Sequence, residues 1–196
     1  MKKINVKCQE LTPTIFLDRD GVISIFTPND WIKNWGEFRF LPGAIEGLKK
    51  LYDNKYRIVI ISNQAGVNKG IFTERDLNRL TENMKLLLKK HDVELAKVYY
   101  CTHAAEENCT CRKPKPGLFY RAQEELGNIN LGESFFIGDS EVDVQAGKAA
   151  GVKTILVLSG KTKDAKETEQ WEIKPDFIVK DLQSAADIVL GSTLDT

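Results

Sequence analysis

The stretch Ile15-Phe16-Leu17-Asp18-Arg19-Asp20-Gly21 decides the fold. Three apolar residues follow Thr14 and run into two carboxylates spaced one apart, and the chain then turns on a glycine. A short apolar run of this kind, ended by a glycine, reads as a strand buried on both faces, as in a parallel sheet. Ligands of open α/β sheets bind beyond the carboxyl ends of the strands, which is where Asp18 and Asp20 stand. Carboxylates so placed are not packing residues. They ligate a metal, attack an electrophile or move protons.

Outward from this strand, β and α signals alternate without repeats or low-complexity tracts. A long excursion through Pro28, Trp31, Trp35 and Pro42 leads to a helix over 43–54 that carries Ile45, Leu48 and Leu51 on one face. A second strand, 57–61, is halted by Ser62-Asn63-Gln64. Thr73 with Asp76 resembles an N-cap pair for a helix through Leu77, Leu80, Met84, Leu87 and Leu88. Strands at 98–100, 135–137, 153–158 and 177–179 follow, with helices at 117–126 and 142–150. A last helix, capped by Asp181, carries Leu182, Ala185, Ala186 and Val189. The alternation predicts an α/β fold: a doubly wound parallel sheet. No linker divides it, so 1–196 reads as a single domain with its core at about 14–190.

Composition narrows the functional classes. Lys+Arg and Asp+Glu balance at 28 each, so no overall field draws the chain to nucleic acid or an acidic membrane. Hydrophobic residues make up 42%, which argues against wholesale disorder. No apolar stretch is long enough to span a bilayer. The basic start, Met1 to Lys7, lacks the apolar region of a secretion signal, so the cytoplasm is the expected compartment. Three of the four cysteines, Cys101, Cys109 and Cys111, fall within eleven residues and share that window with His103. In a reducing compartment such a cluster reads as a metal site, and Cys8, standing alone, as packing.

Four segments follow strand ends in order: Asp18-Arg19-Asp20-Gly21, Ser62-Asn63-Gln64, Arg112-Lys113-Pro114 and Gly138-Asp139-Ser140-Glu141-Val142-Asp143. Each alone has a plain explanation as a turn, cap or solvated side chain. Together, at successive strand ends, they resemble the motifs of the haloacid dehalogenase (HAD) superfamily of aspartate-nucleophile hydrolases, over nearly the whole chain. The first motif matches Asp18 and Asp20, the second Ser62, the third Lys113, the fourth Asp139 with Asp143. The Arg112-Lys113-Pro114 string and the Cys/His loop before it resemble the small-molecule phosphatase branch that includes heptose-bisphosphate and histidinol-phosphate phosphatases. Two positions depart from the heptose enzymes: Val22 stands for a usual threonine, and Ser140 for a lysine.

The resemblance implies a single Rossmann-like phosphatase domain without a large cap, and a Mg²⁺-dependent hydrolysis through an aspartyl-phosphate. Asp18 is then the nucleophile, Asp20 the general acid and base, and Ser62 and Lys113 hold the phosphoryl oxygens. Mg²⁺ falls to Asp18, the main-chain carbonyl of Asp20, and Asp139, and Asp143 orients a ligand or Lys113. Asn63, Gln64 and Arg112 become substrate contacts. Three thiolates and an imidazole suit tetrahedral Zn²⁺, and the resemblance makes the loop 101–111, with Cys101, His103, Cys109 and Cys111, a structural zinc site.

The implied partner is a small phosphorylated metabolite, acted on by a monomer, with no nucleic acid and no membrane involved. The implied reaction removes the 7-phosphate of D-glycero-D-manno-heptose 1,7-bisphosphate. Histidinol phosphate is the alternative substrate, and the five-residue gap between His103 and Cys109 favours it. A polynucleotide 3′-phosphatase and a non-catalytic zinc-stabilised module are weaker readings, disfavoured by the balanced charge and by the presence of both aspartates. Trp31 and Trp35 read either as satellite core or as walls of the leaving-group pocket, His91 as a solvated helix-end residue, and Lys161 to Glu172 as a solvated surface loop.

Overall fold

The computed structural model describes residues 11–191, and the readings of Met1–Lys7 and Cys8 lie outside them. Six strands form one parallel sheet: β1 (Thr14–Leu17), β2 (Arg57–Asn63), β3 (Lys97–Cys101), β4 (Phe135–Gly138), β5 (Lys153–Val157) and β6 (Phe177–Val179). Their spatial order is β3-β2-β1-β4-β5-β6. The chain builds outward from β1 to one side, then returns to build outward on the other, so the direction of winding reverses between β1 and β4. A crevice opens there at the carboxyl ends of the strands.

Alternation along β1 explains the two helical layers. Ile15 and Leu17 point to one face, where they join Leu48, Leu51, Leu80, Met84 and Leu182. Those residues come from α1 (Ala44–Asp53), α2 (Glu74–Lys89) and α5 (Leu182–Val189). Phe16 points to the other face, toward α3 (Gly117–Leu126) and α4 (Glu141–Ala150). There Phe119 meets Phe16 edge-on at 4.9 Å and Phe136 at 5.0 Å. All three rings are essentially fully buried. Truncating Phe119 to alanine would cost about 3–5 kcal/mol, the usual loss for a buried aromatic.

The helix starts are chemically marked as well. Thr73 Oγ1 accepts the Asp76 N–H at 3.1 Å, and an Asp76 carboxylate oxygen accepts the Thr73 N–H at 3.0 Å, a reciprocal cap that starts α2. Asp181 accepts the Ser184 N–H at 2.8 Å and starts α5.

Two expectations change and a third is qualified. Ser62 and Asn63 do not halt β2. They pair with Tyr100 and Cys101 of β3, because the neighbouring strand supplies ladder partners that a single sequence does not display. The two tryptophans separate. Trp35 stacks on the buried Phe38 at 5.0 Å and packs against the core, whereas Trp31 lines the open cavity described below. The segment after β5 is the expected exposed surface loop over most of its length, but it is pinned at two points. Thr162 and Thr168 are buried, 165–170 coils into a short 3₁₀ helix, and the Thr162 N–H reaches the Asp139 carbonyl at 3.0 Å. Among the described residues no helix is long and apolar enough to cross a membrane.

Candidate active site

The first rung of the site is backbone. The Asp18 N–H donates to the Ile137 carbonyl at 3.0 Å, extending the β1–β4 ladder one residue past the strand. This carries Asp18 to the mouth of the winding crevice, where β4 delivers Asp139. Gly21 then turns the chain with φ +85°, a conformation L side chains rarely adopt. A Cβ at Gly21 would also stand 2.6 Å from the Asp139 Cγ and 2.8 Å from the Gly160 Cα. Glycine is required there twice over.

Asp18, Asp139 and Asp143 bring carboxylate oxygens within 4.8 Å of one another around the buried Lys113. The Lys113 ammonium donates to Asp143 Oδ1 at 2.6 Å, to Asp18 Oδ2 at 2.9 Å and to the Ile61 carbonyl at 3.2 Å, so all three of its protons are used. Burial alone would lower Lys113, but Asp143 and Asp18 hold it above its ordinary range. Asp143 Oδ2 accepts the N–H groups of Asp139 and Ser140 at 3.2 and 3.1 Å and the Ser140 hydroxyl at 2.6 Å. Burial and the neighbouring Asp143 and Asp18 charges push Asp139 well above the usual carboxylate range. Burial also raises Asp18, against the pull of Lys113.

One ammonium cannot neutralise three carboxylates in so small a volume. With Asp143 spent on Lys113 and Ser140, Asp18 and Asp139 remain as hard oxygen donors, and this donor set fits a divalent cation such as Mg²⁺.

Asp20 faces the same cavity but is held differently. Arg19 Nε donates to its Oδ1 at 2.9 Å and Nη2 to its Oδ2 at 2.7 Å, while the Ser24 hydroxyl and Gln64 amide add bonds of 2.9 Å each. Burial would raise Asp20, but these donors hold it below the ordinary carboxylate range. Its side chain stands outside the three-carboxylate cluster.

Of the sequence-derived site residues, Asp18, Asp20, Ser62, Asn63, Arg112, Lys113, Asp139 and Asp143 all line one open cavity of about 580 Å³, together with Trp31 and Lys161. Gln64 does not. Its side chain is fully buried and turned to Asp20, away from the cavity in which a substrate contact was expected. Asn63 also differs from a free binding group. Its amide brackets the Lys113 peptide, donating to the carbonyl and accepting the N–H at 3.1 Å each. Sequence reasoning missed Arg19, Ser24 and Gly160. The sole trace of Arg19 is a cation caught between two acids, and that of Gly160 is a glycine just after a strand.

Cys101, His103, Cys109 and Cys111 converge at the loop after β3. The sulfurs of Cys101 and Cys109 are 3.6 Å apart, and Cys111 Sγ lies 3.4 Å from each. His103 Nδ1 stands 3.3 Å from Cys111 Sγ and 3.6 Å from Cys101 Sγ. These separations are far beyond a disulfide bond. They lie close to the edges, about 3.8 Å, of a tetrahedron of sulfurs around Zn²⁺. Burial pushes the Cys101 thiol up to about 12, a cost that a bound cation would reverse. The donor set fits zinc.

A parallel sheet with this crevice and this set of carboxylates and lysine defines a HAD-like hydrolase, and residues 110–185 match the HAD-hydrolase-like family model. The chain is 39% identical over 169 residues to the D-glycero-β-D-manno-heptose-1,7-bisphosphate 7-phosphatase of Pasteurella multocida, covering 82% of this chain and 90% of that one. It is 43% identical to the enzyme of the same name from Helicobacter pylori, covering 74% of this chain and 82% of the other. The crystal structure of D,D-heptose 1,7-bisphosphate phosphatase from B. bronchiseptica, complexed with magnesium and phosphate, superposes with a TM-score of 0.85 at 28% identity, covering 93% of this chain and all of that one. The chain belongs to this family of heptose-bisphosphate phosphatases, and it is a phosphatase.

Proposed function

We propose that the chain removes the 7-phosphate of D-glycero-D-manno-heptose 1,7-bisphosphate, the β anomer in keeping with the names of its relatives. The observation that carries this reading is the 39% identity to an enzyme of that name over nine-tenths of its length. A cavity of about 580 Å³ suits a small phosphorylated sugar. The reading takes the chain as a single domain acting as a cytoplasmic monomer, with no nucleic acid or membrane partner.

In this mechanism Asp18, Asp139 and the main-chain carbonyl of Asp20 hold Mg²⁺. When bound, the cation supplies positive charge that offsets the phosphoryl oxygens. Lys113 and Ser62 hold those oxygens, and Asp143 keeps Lys113 in place. An Asp18 carboxylate oxygen attacks phosphorus, the ester P–O bond breaks, and an aspartyl-phosphate forms. Asp20, held ionised at rest by its donors, must first take up a proton from solvent and then gives it to the departing alkoxide. It later takes one from the water that attacks phosphorus and frees Asp18. Arg112 at the cavity wall suits the second, non-reacting phosphate, with Asn63 beside it. Zinc on Cys101, His103, Cys109 and Cys111 is structural, since four protein ligands leave no open position.

Side-by-side kcat/KM values on heptose 1,7-bisphosphate and histidinol phosphate with Mg²⁺ test the reading. A preference for the heptose bisphosphate is expected, and a clear preference for histidinol phosphate overturns it.

A further inference from the structure

Gln64 is the buried polar side chain that the mechanism above leaves without a task. Its side chain is fully buried, and its Nε2 donates both to Asp20 Oδ2 at 2.9 Å and to Ser62 Oγ at 3.2 Å. Both bonds come from the amide nitrogen, which fixes the orientation of the group, because the flipped amide would set its oxygen against a carboxylate. The carbonyl Oε1 is left buried with no partner. A half-satisfied amide in a core is uncommon and calls for an explanation. Its backbone is pinned too, through the Gln64 N–H to the Cys101 carbonyl at 2.7 Å.

We propose that Gln64 is a positioning residue that ties the carboxyl of Asp20 to the hydroxyl of Ser62, so that the proton-handling group is aimed relative to the gripped phosphoryl group. The proposal rests on the reading of Asp20 as the group that protonates the leaving oxygen. Arg19 and Ser24 hold Asp20 from its other sides, and both belong to its own turn of chain, the Arg19 guanidinium resting in addition on the Tyr100 ring of β3 at 5.7 Å. Gln64 alone among these donors reaches across from β2 to β1, and so relates the first motif to the second. Losing it frees Asp20 to swing about its own turn without disturbing Asp18, Lys113 or Asp139.

The test compares two esters in single-turnover release of the leaving group, with enzyme in excess, so that only phosphoryl transfer to Asp18 is read. Transfer from the 7-position of heptose 1,7-bisphosphate expels a sugar alkoxide, which needs a proton, whereas transfer from p-nitrophenyl phosphate expels a stable phenolate. General acid catalysis is worth about 10²–10⁴-fold, so misaiming the acid in Gln64→Met should cost the alkyl ester at least about 10-fold more than the nitrophenyl ester. Ser62→Ala should slow both esters alike, since it touches the phosphoryl group they share. Gln64→Leu, matched by its melting curve to the wild type, serves if the methionine variant does not fold. Equal losses on the two esters, or no loss, overturn the proposal provided Asp20→Asn shows the selective loss. If Asp20→Asn itself slows both esters equally, the underlying reading of Asp20 fails instead, and this proposal with it.

Discussion

Replacing Gly160 with alanine should strip the enzyme of most of its activity while the sheet stays folded. Gly160 needs no unusual backbone; its constraint is space. A Cβ there would stand 2.5 Å from both the Cβ and the Cγ of Asp139 and closer still to its Oδ2. Carbon atoms in comfortable contact sit about 3.5 Å apart, so one side must yield by about 1 Å. Gly21 crowds the same carboxylate oxygen, so the two glycines together set the space that Asp139 occupies. Any retreat also breaks the 2.6 Å bond from the Lys161 N–H to Asp139 Oδ2. A misplacement of about 1 Å in a catalytic constellation can cost about 10²-fold, or about 2.7 kcal/mol of transition-state stabilisation. The assay is kcat/KM across a Mg²⁺ titration, with a melting curve beside it. We expect a loss of about 10²-fold and a Mg²⁺ midpoint moved to higher concentration. A folded Gly160→Ala enzyme with wild-type kcat/KM and an unchanged midpoint would refute the view that this glycine shapes the Asp139 site.

Gly151 is the contrasting case: its Cβ would meet nothing within 4 Å, but φ is +77°, so Gly151→Ala should lower the melting temperature and leave kcat/KM intact. Asp18→Asn should abolish turnover, since an amide cannot form the acyl-phosphate; appreciable phosphate release by this variant would sink the covalent mechanism. EDTA should stop turnover and added Mg²⁺ restore it, and activity that persists in excess chelator would count against the metal. Purified protein should carry one zinc per chain by elemental analysis, and Cys109→Ser should lose it together with stability and activity; freely titratable thiols in metal-free, fully active protein would defeat that assignment.

The parts of this site that were legible in the sequence are those carried by side chains at strand ends. Asp18 and Asp139 follow apolar runs that can only be buried strands, and the crevice between β1 and β4 brings them together. Three cysteines and a histidine in one short window mark a candidate metal site, which the family resemblance made a zinc site. What stayed hidden runs through the backbone or through reversals of direction. Gly160 and the Lys161 amide act by the room and the proton they offer Asp139; the first shows only as a glycine after a strand, and the second leaves no trace in residue type. Gln64 follows Asn63 directly, but its side chain turns inward to Asp20 while Asn63 lines the cavity. Trp31 and Trp35 look alike in a loop, and only the collapse of Phe38 under Trp35 separates wall from core.

The Cys/His cluster is fastened to the reacting groups at two points, which is why its loss should act on catalysis and not on the loop alone. The Cys101 carbonyl accepts the Gln64 N–H at 2.7 Å, so the strand that bears the first cysteine of the cluster also anchors the residue that grips Asp20. Cys111 directly precedes Arg112 and Lys113, whose peptide is bracketed by the Asn63 amide. Each tether runs through one or two hydrogen bonds of 2.7 to 3.1 Å, too short a path to absorb a displaced loop. A shift of the Lys113 backbone bears on Asp18 and Asp143, because its ammonium bridges the two at 2.9 and 2.6 Å. The cluster stabilises the loop against its own conformational entropy, and the geometry of the phosphoryl site depends on that loop keeping its place.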